Sequence, residues 1–537
     1  MDCRALPPSS LPHTSKLIHD YTENFSRLQN FFEHKPELQS AEAYGRQLDF
    51  PAERRREVAA ILRADNVSFG SGPETENNLR RLENGAVAVV SGQQVGLFGG
   101  PAYAFYKALT VIESAQELSL SGIEAVPIFW MATEDHDIEE IRHTTWFYEG
   151  KLRKLVLPPP AEEARPAGRV ALGVEIEGVL QEIEDSLTGP SGFELLDILR
   201  SCYTPQDTYG SSFAKLFAEL FSPHGLILLD PLNPALHAIA APIFRQALEH
   251  RDELNEGLLA RDRELEKAGY AAQVKVTSKS TLLFAMHGGK REVITANEGK
   301  FSFGGKSVPR EELIRRVSAE PESFSPNALL RPLMQDYLLP TVVYYGGPAE
   351  IAYFAQSQVL YKKILGRMPV LLPRADYTLV DPKGVRILDK YKLKVEDAWL
   401  GPQTLQKKMY ATNLPKKLER AFDGNLQKIE TSIGSLHESI REVDPTIQGT
   451  IARAEKRIRY QVEKLRAKTG AALDRHEKII AQHAEFLENL LYPHKGLQSR
   501  DLSFLPFLLR LGSGGLGELQ KLACAKKTGQ HYIVSIP

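Results

Sequence analysis

SGQQVGLFGGPAYAFYK, residues 91–107, places a glycine-rich turn and two glutamine amides between a short apolar strand and a helix. The run before it, Ala86 to Val90, is apolar and rich in β-branched residues, as a parallel strand covered on both faces requires. Gly92, Gly96, Gly99 and Gly100 permit sharp turning and close approach of a ligand to the backbone. Pro101 opens the following helix, where its missing N–H costs nothing. Free N–H groups at such a helix start attract anions, so the layout is that of a phosphate cradle. The spacing is neither GxGxxG nor GxxxxGKS/T, so neither the dinucleotide fingerprint nor the Walker loop applies.

AVPIFWMATEDHDIEE, residues 125–140, repeats the pattern: an apolar strand, Val126 to Met131, runs past Trp130 into Glu134, Asp135, His136 and Asp137. In open α/β sheets the carboxyl ends of the strands are where ligands bind. Asp137, Glu139 and Glu140 have an ordinary explanation as acids in the first turn of the next helix. A histidine flanked by carboxylates does not. Three chemistries fit the cluster: a metal site, a general acid/base group and a clamp for a substrate amine. Adjacent residues of an extended segment point to opposite sides, so a metal would need ligands from elsewhere. A carboxylate–imidazole pair can accept a proton from an attacking amine near neutral pH. The acid/base role is the expected one, with no metal site.

Apolar strands recur at 86–90, 126–131, 226–230, 341–345 and 369–372, with helical patterns between several of them. This predicts an α/β fold, a Rossmann-like doubly wound parallel sheet. Insertions are expected near 158–210, after the loop PPPAEEARPAG, and near 270–325. The second contains TLLFAMHGGKREVITANEGKFSF, whose alternation and Gly turns predict an antiparallel meander over the sheet's ligand edge. The core is placed at 1–382, a helical coiled-coil domain at 383–490, and a segment returning to the core at 491–537. In the second of these, Phe422, Ile429, Leu436 and Val443 repeat every seven residues, interleaved with Leu426, Ile433, Ile440 and Ile447. Asp444 and Pro445 read as the N-cap and first residue of a new helix. Ile451, Ile458, Leu465, Ala472, Ile479 and Phe486 then continue the spacing, which predicts an antiparallel α-helical hairpin. At about 45 Å for a 30-residue arm, it would protrude and pair with a second copy as a homodimer.

The chain has 537 residues, room for two or three folding units. Lys plus Arg is 66 and Asp plus Glu is 68, a net charge of −2 that argues against broad nucleic-acid or anionic-membrane binding. No apolar run approaches the roughly 18 residues of a membrane span, and the first residues lack an apolar signal core, so a cytoplasmic protein is expected. Cys3, Cys202 and Cys524 lack metal or redox spacing and are expected to be incidental.

SGQQVGLFGGPAYAFYK and VPIFWMATEDHDIEEI resemble the two signature segments of the cysteine ligase family of bacillithiol biosynthesis (BshC). FAKLFAELFSPHGLILLDP at 213–231, RPLMQDYLLPTVVYYGGPAEIAYFAQ at 331–356 and LQSRDLSFLPFL resemble its later blocks, so the similarity spans nearly the whole chain. The resemblance implies a carbon–nitrogen ligase that adds cysteine to glucosaminyl malate in the last step of bacillithiol synthesis, as a homodimer. Such a reaction needs the cysteine carboxyl activated, and ATP usually supplies this, with Mg accompanying the nucleotide. Class I synthetase-like ligases carry a HIGH-type histidine pair at the first strand–helix turn, where this chain has Gln93 and Gln94. ATP or ADP therefore stands as an open expectation, and no tightly bound cofactor is expected. KVTSKST at 275–281 superficially matches a KMSKS loop but leads into the meander, and reads as a decoy. The alternative reading is a non-catalytic nucleotide- or sugar-binding protein on the same fold; a coiled-coil scaffold would leave both signature segments idle.

Substrate contacts are expected from Gln93, Gln94, Gly96, Gly99, Pro101, Tyr103, Lys107 and Trp130 in the signature segments. Lys107 and the loop amides would bind growing charge. Asp230, at the end of GLILLD, would hold an amine or sugar hydroxyl, or cap the Pro231 turn. Gly347 precedes a second Pro-initiated helix start, with Glu350 in its first turn. Arg331 fits either a bidentate contact to a carboxylate such as malate or a structural ion pair. Gln335 and Tyr345 are supporting candidates. A nucleotide is expected where the hairpin returns to the core, at Tyr492, Gln498 and Arg500.

Overall fold

The structure is a computed structural model describing residues 2–537 apart from 161–164, 188, 298, 413, 444–447, 475–477, 513–514 and 523–528. Its centre is a parallel sheet of five strands: β1 (Val87–Gln93), β2 (Ala125–Met131), β3 (Ile227–Leu229), β4 (Thr341–Gly346) and β5 (Val370–Pro373). They lie in the order β5-β4-β1-β2-β3. The chain winds outward from β1 in one direction to β3, then returns and winds the other way through β4 and β5. The strand order thus reverses between β1 and β4, and a crevice opens at their carboxyl ends. Side chains alternate between two cores. Val87, Val89, Phe129 and Val343 belong to one, Ala88, Val90, Ile128 and Tyr344 to the other. Both faces are apolar, so the strands read as unbroken apolar runs.

Helix α1 (Tyr103–Leu120) follows β1 and packs in the first core through Phe105, Tyr106 and Leu109; helix α2 (Pro348–Ile364) follows β4. An antiparallel sheet is built from Ser280–His287, Lys290–Asn297, Lys300–Phe303 and Lys306–Pro309, and a further strand, Phe324–Pro326, pairs with Ser280–His287. Within 158–210 the main elements are helices Glu175–Glu184 and Gly189–Cys202. Just before them stands a hairpin, His143–Tyr148 with Lys151–Val156, whose turn residues Glu149 and Gly150 both have positive φ (51° and 85°). That turn matches the right-handed strand twist but lacks an Asn-Gly signature, so the sequence does not signal it.

A third sheet joins distant parts of the chain. Asp2–Leu6 runs antiparallel to His531–Ser535, which runs parallel to Asp376–Val380. Beyond it, α3 (Lys416–Val443) and α4 (Gln448–Asp474) form the long helical arms. Two cross-arm ion pairs, Glu430 with Arg459 and Asp423 with Arg466, step by seven residues in opposite senses along the two helices. Asp444, Pro445 and Ile447 lie outside the described residues, as does Cys524. The seven-residue row from Ile451 to Phe486 is not one arm. α4 ends at Asp474, and Ile479 opens a separate helix, Ile479–Leu491, that buries Ile480, Leu487, Leu490 and Leu491. Phe486 meets Phe147 edge-on. An apolar spacing that continues across a break conceals the change of helix. No helix among the described residues is long and apolar enough to cross a membrane.

Candidate active site

A cavity of about 660 Å³ opens at the strand-order reversal. Its base is the end of β1, where a Cβ on Gly92 would lie 2.5 Å from the Trp130 carbonyl oxygen. Only glycine lets the backbone pass there. Below it, the buried Lys107 ammonium donates to Gly92 O (2.6 Å), Gln93 Oε1 (3.0 Å) and Glu350 Oε2 (2.6 Å). All three of its N–H groups are thereby spent. Lys107 is a strap between the turns after β1 and β4, with no proton left for growing charge on a ligand. Glu350 also accepts from Gly347 N (2.7 Å) and Tyr344 OH (2.5 Å). Burial pushes its carboxyl up, but Lys107 and these donors more than offset that and hold it below the ordinary value.

Gln93 and Gln94 serve different partners. Gln93 Nε2 donates to Tyr103 OH at 2.8 Å, while Gln94 Nε2 donates to Asp135 Oδ2 at 2.7 Å and Glu140 Oε2 at 2.6 Å. Asp135 Oδ1 accepts from the His136 amide at 2.7 Å, bracing the turn. His136 Nδ1 lies 3.3 Å from Arg291 Nη1. A guanidinium only donates, so Nδ1 accepts and the ring proton sits on Nε2. His136 is thus arranged to offer an N–H, and Glu134, buried and lining the cavity, is the group left to accept a proton.

Four guanidiniums face this space. Arg331 donates to Gln335 Oε1 (3.0 Å) and Tyr353 OH (3.3 Å), with its charge 5.6 Å from the Trp130 ring centre and 5.3 Å from that of Tyr344. Its other N–H groups have no protein partner among the described residues. Arg291 is fixed to Ser325 Oγ (2.8 Å) and Pro326 O (2.8 Å) and lies 3.9 Å over Phe284; burial lowers its pKa. Arg374 is held by Asp376 Oδ1 at 2.6 Å, and Arg500 is exposed. With Glu350 neutralised by Lys107, the opposing carboxylates are Glu134 and Asp135. The balance favours an anionic ligand.

Other expected site residues stand elsewhere, each for a physical reason. Gly96, Gly99 and Pro101 do not line the cavity: Phe98 is fully buried in the turn, and the Ala102 amide donates to Leu502 O at 2.8 Å, so the anion cradle is filled by the chain itself. Asp137 caps the short helix Ile138–Ile141. Asp230 accepts from Thr133 Oγ1 (2.5 Å) and Leu232 N (3.0 Å), the turn-capping role. Tyr345 points into the core opposite Tyr344, its hydroxyl donating to Ser114 Oγ at 3.0 Å. Gln335 supports Arg331 from behind. Tyr492 OH pairs with His13 Nε2 at 3.1 Å, and Gln498 is spent on Leu379 N and O and Leu490 O at 2.7–2.8 Å. Arg500 alone of that trio reaches the cavity. It also borders a second cavity of about 440 Å³, which shares Pro348, Ala349, Arg374 and Arg500 with the first.

Residues 1–375 match the family described as Bacillithiol biosynthesis BshC, N-terminal Rossmann-like domain, and residues 377–536 match its C-terminal coiled-coil domain. The chain belongs to the BshC family. Similar proteins, each named "Putative cysteine ligase BshC", include one from Koribacter versatilis, 40% identical over 95% of both chains. Another, from Solibacter usitatus, is 38% identical over 95% of this chain and 96% of the relative. One from Salinibacter ruber is 30% identical over 99% and 98%.

In this BshC chain, Arg291, Arg374, Tyr344 and Tyr353 reach the site without having been singled out in the sequence. Arg291 had a readable signal, a charged residue on the strand of an insertion expected to cover the ligand edge. Arg374 and Tyr353 had none, since neither stands in a polar cluster. Among the described residues no group of three or more His, Cys, Asp or Glu is arranged to hold a metal ion.

Proposed function

We propose that this BshC-family protein joins the carboxyl of cysteine to the amine of glucosaminyl malate, the last step of bacillithiol synthesis, in the cytoplasm. The observation that carries the reading is a half-buried guanidinium, Arg331, with unspent donors, set across one cavity from Glu134. The names of the relatives supply the reaction class. A malate group brings two carboxylates, and Arg331 offers planar, bidentate recognition to one of them. Arg374 and Arg500 border the same space for the other.

The residues divide the work. Glu134 accepts the proton that the attacking amine must lose. His136 Nε2–H donates to the carbonyl oxygen as it gains negative charge. Gln94 and Asp135 brace the turn that carries that imidazole, and Arg291 meets its Nδ1. ATP bound with Mg would supply the leaving group that a free carboxylate lacks; the fit is best where Arg374 and Arg500 border both cavities, and Mg would arrive on the phosphates. The homodimer is proposed to form through the arms, where Leu436 (57%), Ile458 (40%) and Leu465 (58%) stand exposed at heptad positions.

The test is to incubate the protein with cysteine, glucosaminyl malate, magnesium and ATP, and follow amide product and nucleotide breakdown by mass spectrometry. Product with AMP or ADP is expected. Glu134→Gln and His136→Ala should each lower turnover by about 10²–10⁴-fold with ligand binding retained; fully active variants would put the chemistry elsewhere. Binding without product in the natural protein would favour a non-catalytic binding role.

A further inference from the structure

Behind the acidic turn lies a contact that the proposed reaction does not yet use. His237, on helix Pro234–Glu249, is 3% exposed and meets the Phe244 ring edge-on. Its Nδ1 lies 3.2 Å from the carbonyl oxygen of Pro321. A carbonyl oxygen only accepts, so Nδ1 carries a proton. Its Nε2 lies 3.1 Å from Glu134 Oε1, off the line of a well-formed hydrogen bond. That oxygen is buried and has no hydrogen bond among the described residues. A neutral ring would therefore aim a lone pair at a buried carboxylate oxygen. A second ring proton, on Nε2, turns the contact into an ion pair and compensates an acceptor that is costly to leave unsatisfied.

We propose that His237 is a positioning residue: doubly protonated in the folded protein, it anchors Glu134 Oε1 and leaves the open side of the carboxylate on the cavity. This rests on the reading of Glu134 as acceptor of the amine proton. As nitrogen bonds to the activated carbonyl carbon and the leaving group departs with its electron pair, that proton passes to Glu134, and His237 keeps both of its own. The surroundings sharpen the arrangement. Arg291, from the antiparallel sheet, attracts both Glu134 and Asp135, while Asp230, at the end of β3, repels Glu134. On the far side, the backbone of Pro231 and Pro321 faces the ring. Burial opposes charge on His237, but Glu134 outweighs it and the net displacement is upward.

Nitrogen-15 NMR of the histidine rings in the full chain, from about pH 5 to about pH 9, tests the pair without substrates, the His237 signal being assigned by its loss in His237→Gln. The titration midpoint of His237 should fall by at least about one unit, tenfold in proton affinity, in Glu134→Gln. An unchanged midpoint overturns the proposal. Where amide formation is measurable, His237→Gln should lower kcat more than it raises KM for the amine. A shifted NMR midpoint with kcat unchanged in His237→Gln also overturns the positioning role. If no form of the protein makes amide, the reaction fails, while the NMR arm still decides the pair.

Discussion

The same four residues, Gly-Gly-Pro-Ala, follow β1 as Gly99–Ala102 and end β4 as Gly346–Ala349, and the two turns do opposite things. In the first, both glycines are left-handed, with φ of 84° and 72°, and a Cβ on Gly99 would lie 2.4 Å from the Phe105 ring. The chain needs glycine there to fold back on itself, and the result is a plug of buried side chains. In the second, Gly347 has φ −79° and its amide is taken by Glu350. That turn stays open and forms a wall of the cavity. Two residues after each proline stand Tyr103 and Glu350, and both line the cavity; Gln93 and Lys107 bind them. A tetrapeptide specifies a change of direction, and its neighbours decide whether that direction encloses a ligand or a core.

Breaking the strap between the turns should have the largest effect. Lys107→Met leaves the half-buried Glu350 carboxylate without its cation and should cost about 3 kcal/mol, read from denaturant unfolding. Acidification probes the same link. Glu350 is held below the ordinary carboxylate value by Lys107 and its donors, and Asp376 by Arg374 and His531, each against the upward push of burial. Both bind fewer protons folded than unfolded. Their contribution is present above the unfolded carboxylate value and should be lost as pH falls below about 4; a melting temperature flat down to pH 2 would contradict it. Gly99→Ala, strained in φ and overpacked against Phe105, should cost about 1–3 kcal/mol. Gly347→Ala meets Glu350 Oε2 at 3.3 Å with an ordinary φ and should stay within about 0.5 kcal/mol. Equal losses at the two glycines would erase the contrast.

The parallel sheet was legible because each of its five strands is a continuous apolar run between turn signals. The acidic turn was legible because charge at the end of such a run is conspicuous. What Lys107, Gln498 and Tyr492 do was not, since a polar side chain looks the same in sequence whether it is free for a ligand or spent on the backbone. Residue types also conceal orientation: Tyr344 and Tyr345 are neighbours, yet only one faces the cavity. His237 reaches Glu134 from a helix far along the chain, with an apolar surround that marks it as core. The row ending at Phe486 misled for the converse reason, a periodicity that outlasts its helix.

The small sheet joining Asp2–Leu6, Asp376–Val380 and His531–Ser535 bears on synthesis. Translation delivers His531 after every other described element, and His531 Nδ1 sits 3.1 Å from the Asp376 carboxylate that holds Arg374. A growing chain can wind its central strands and still lack the brace behind one of its cationic walls. Ribosome-stalled chains that have not yet delivered His531–Ser535 should therefore be folded at the centre, with Asp376 still paired to Arg374 but lacking the imidazole that braces its other oxygen.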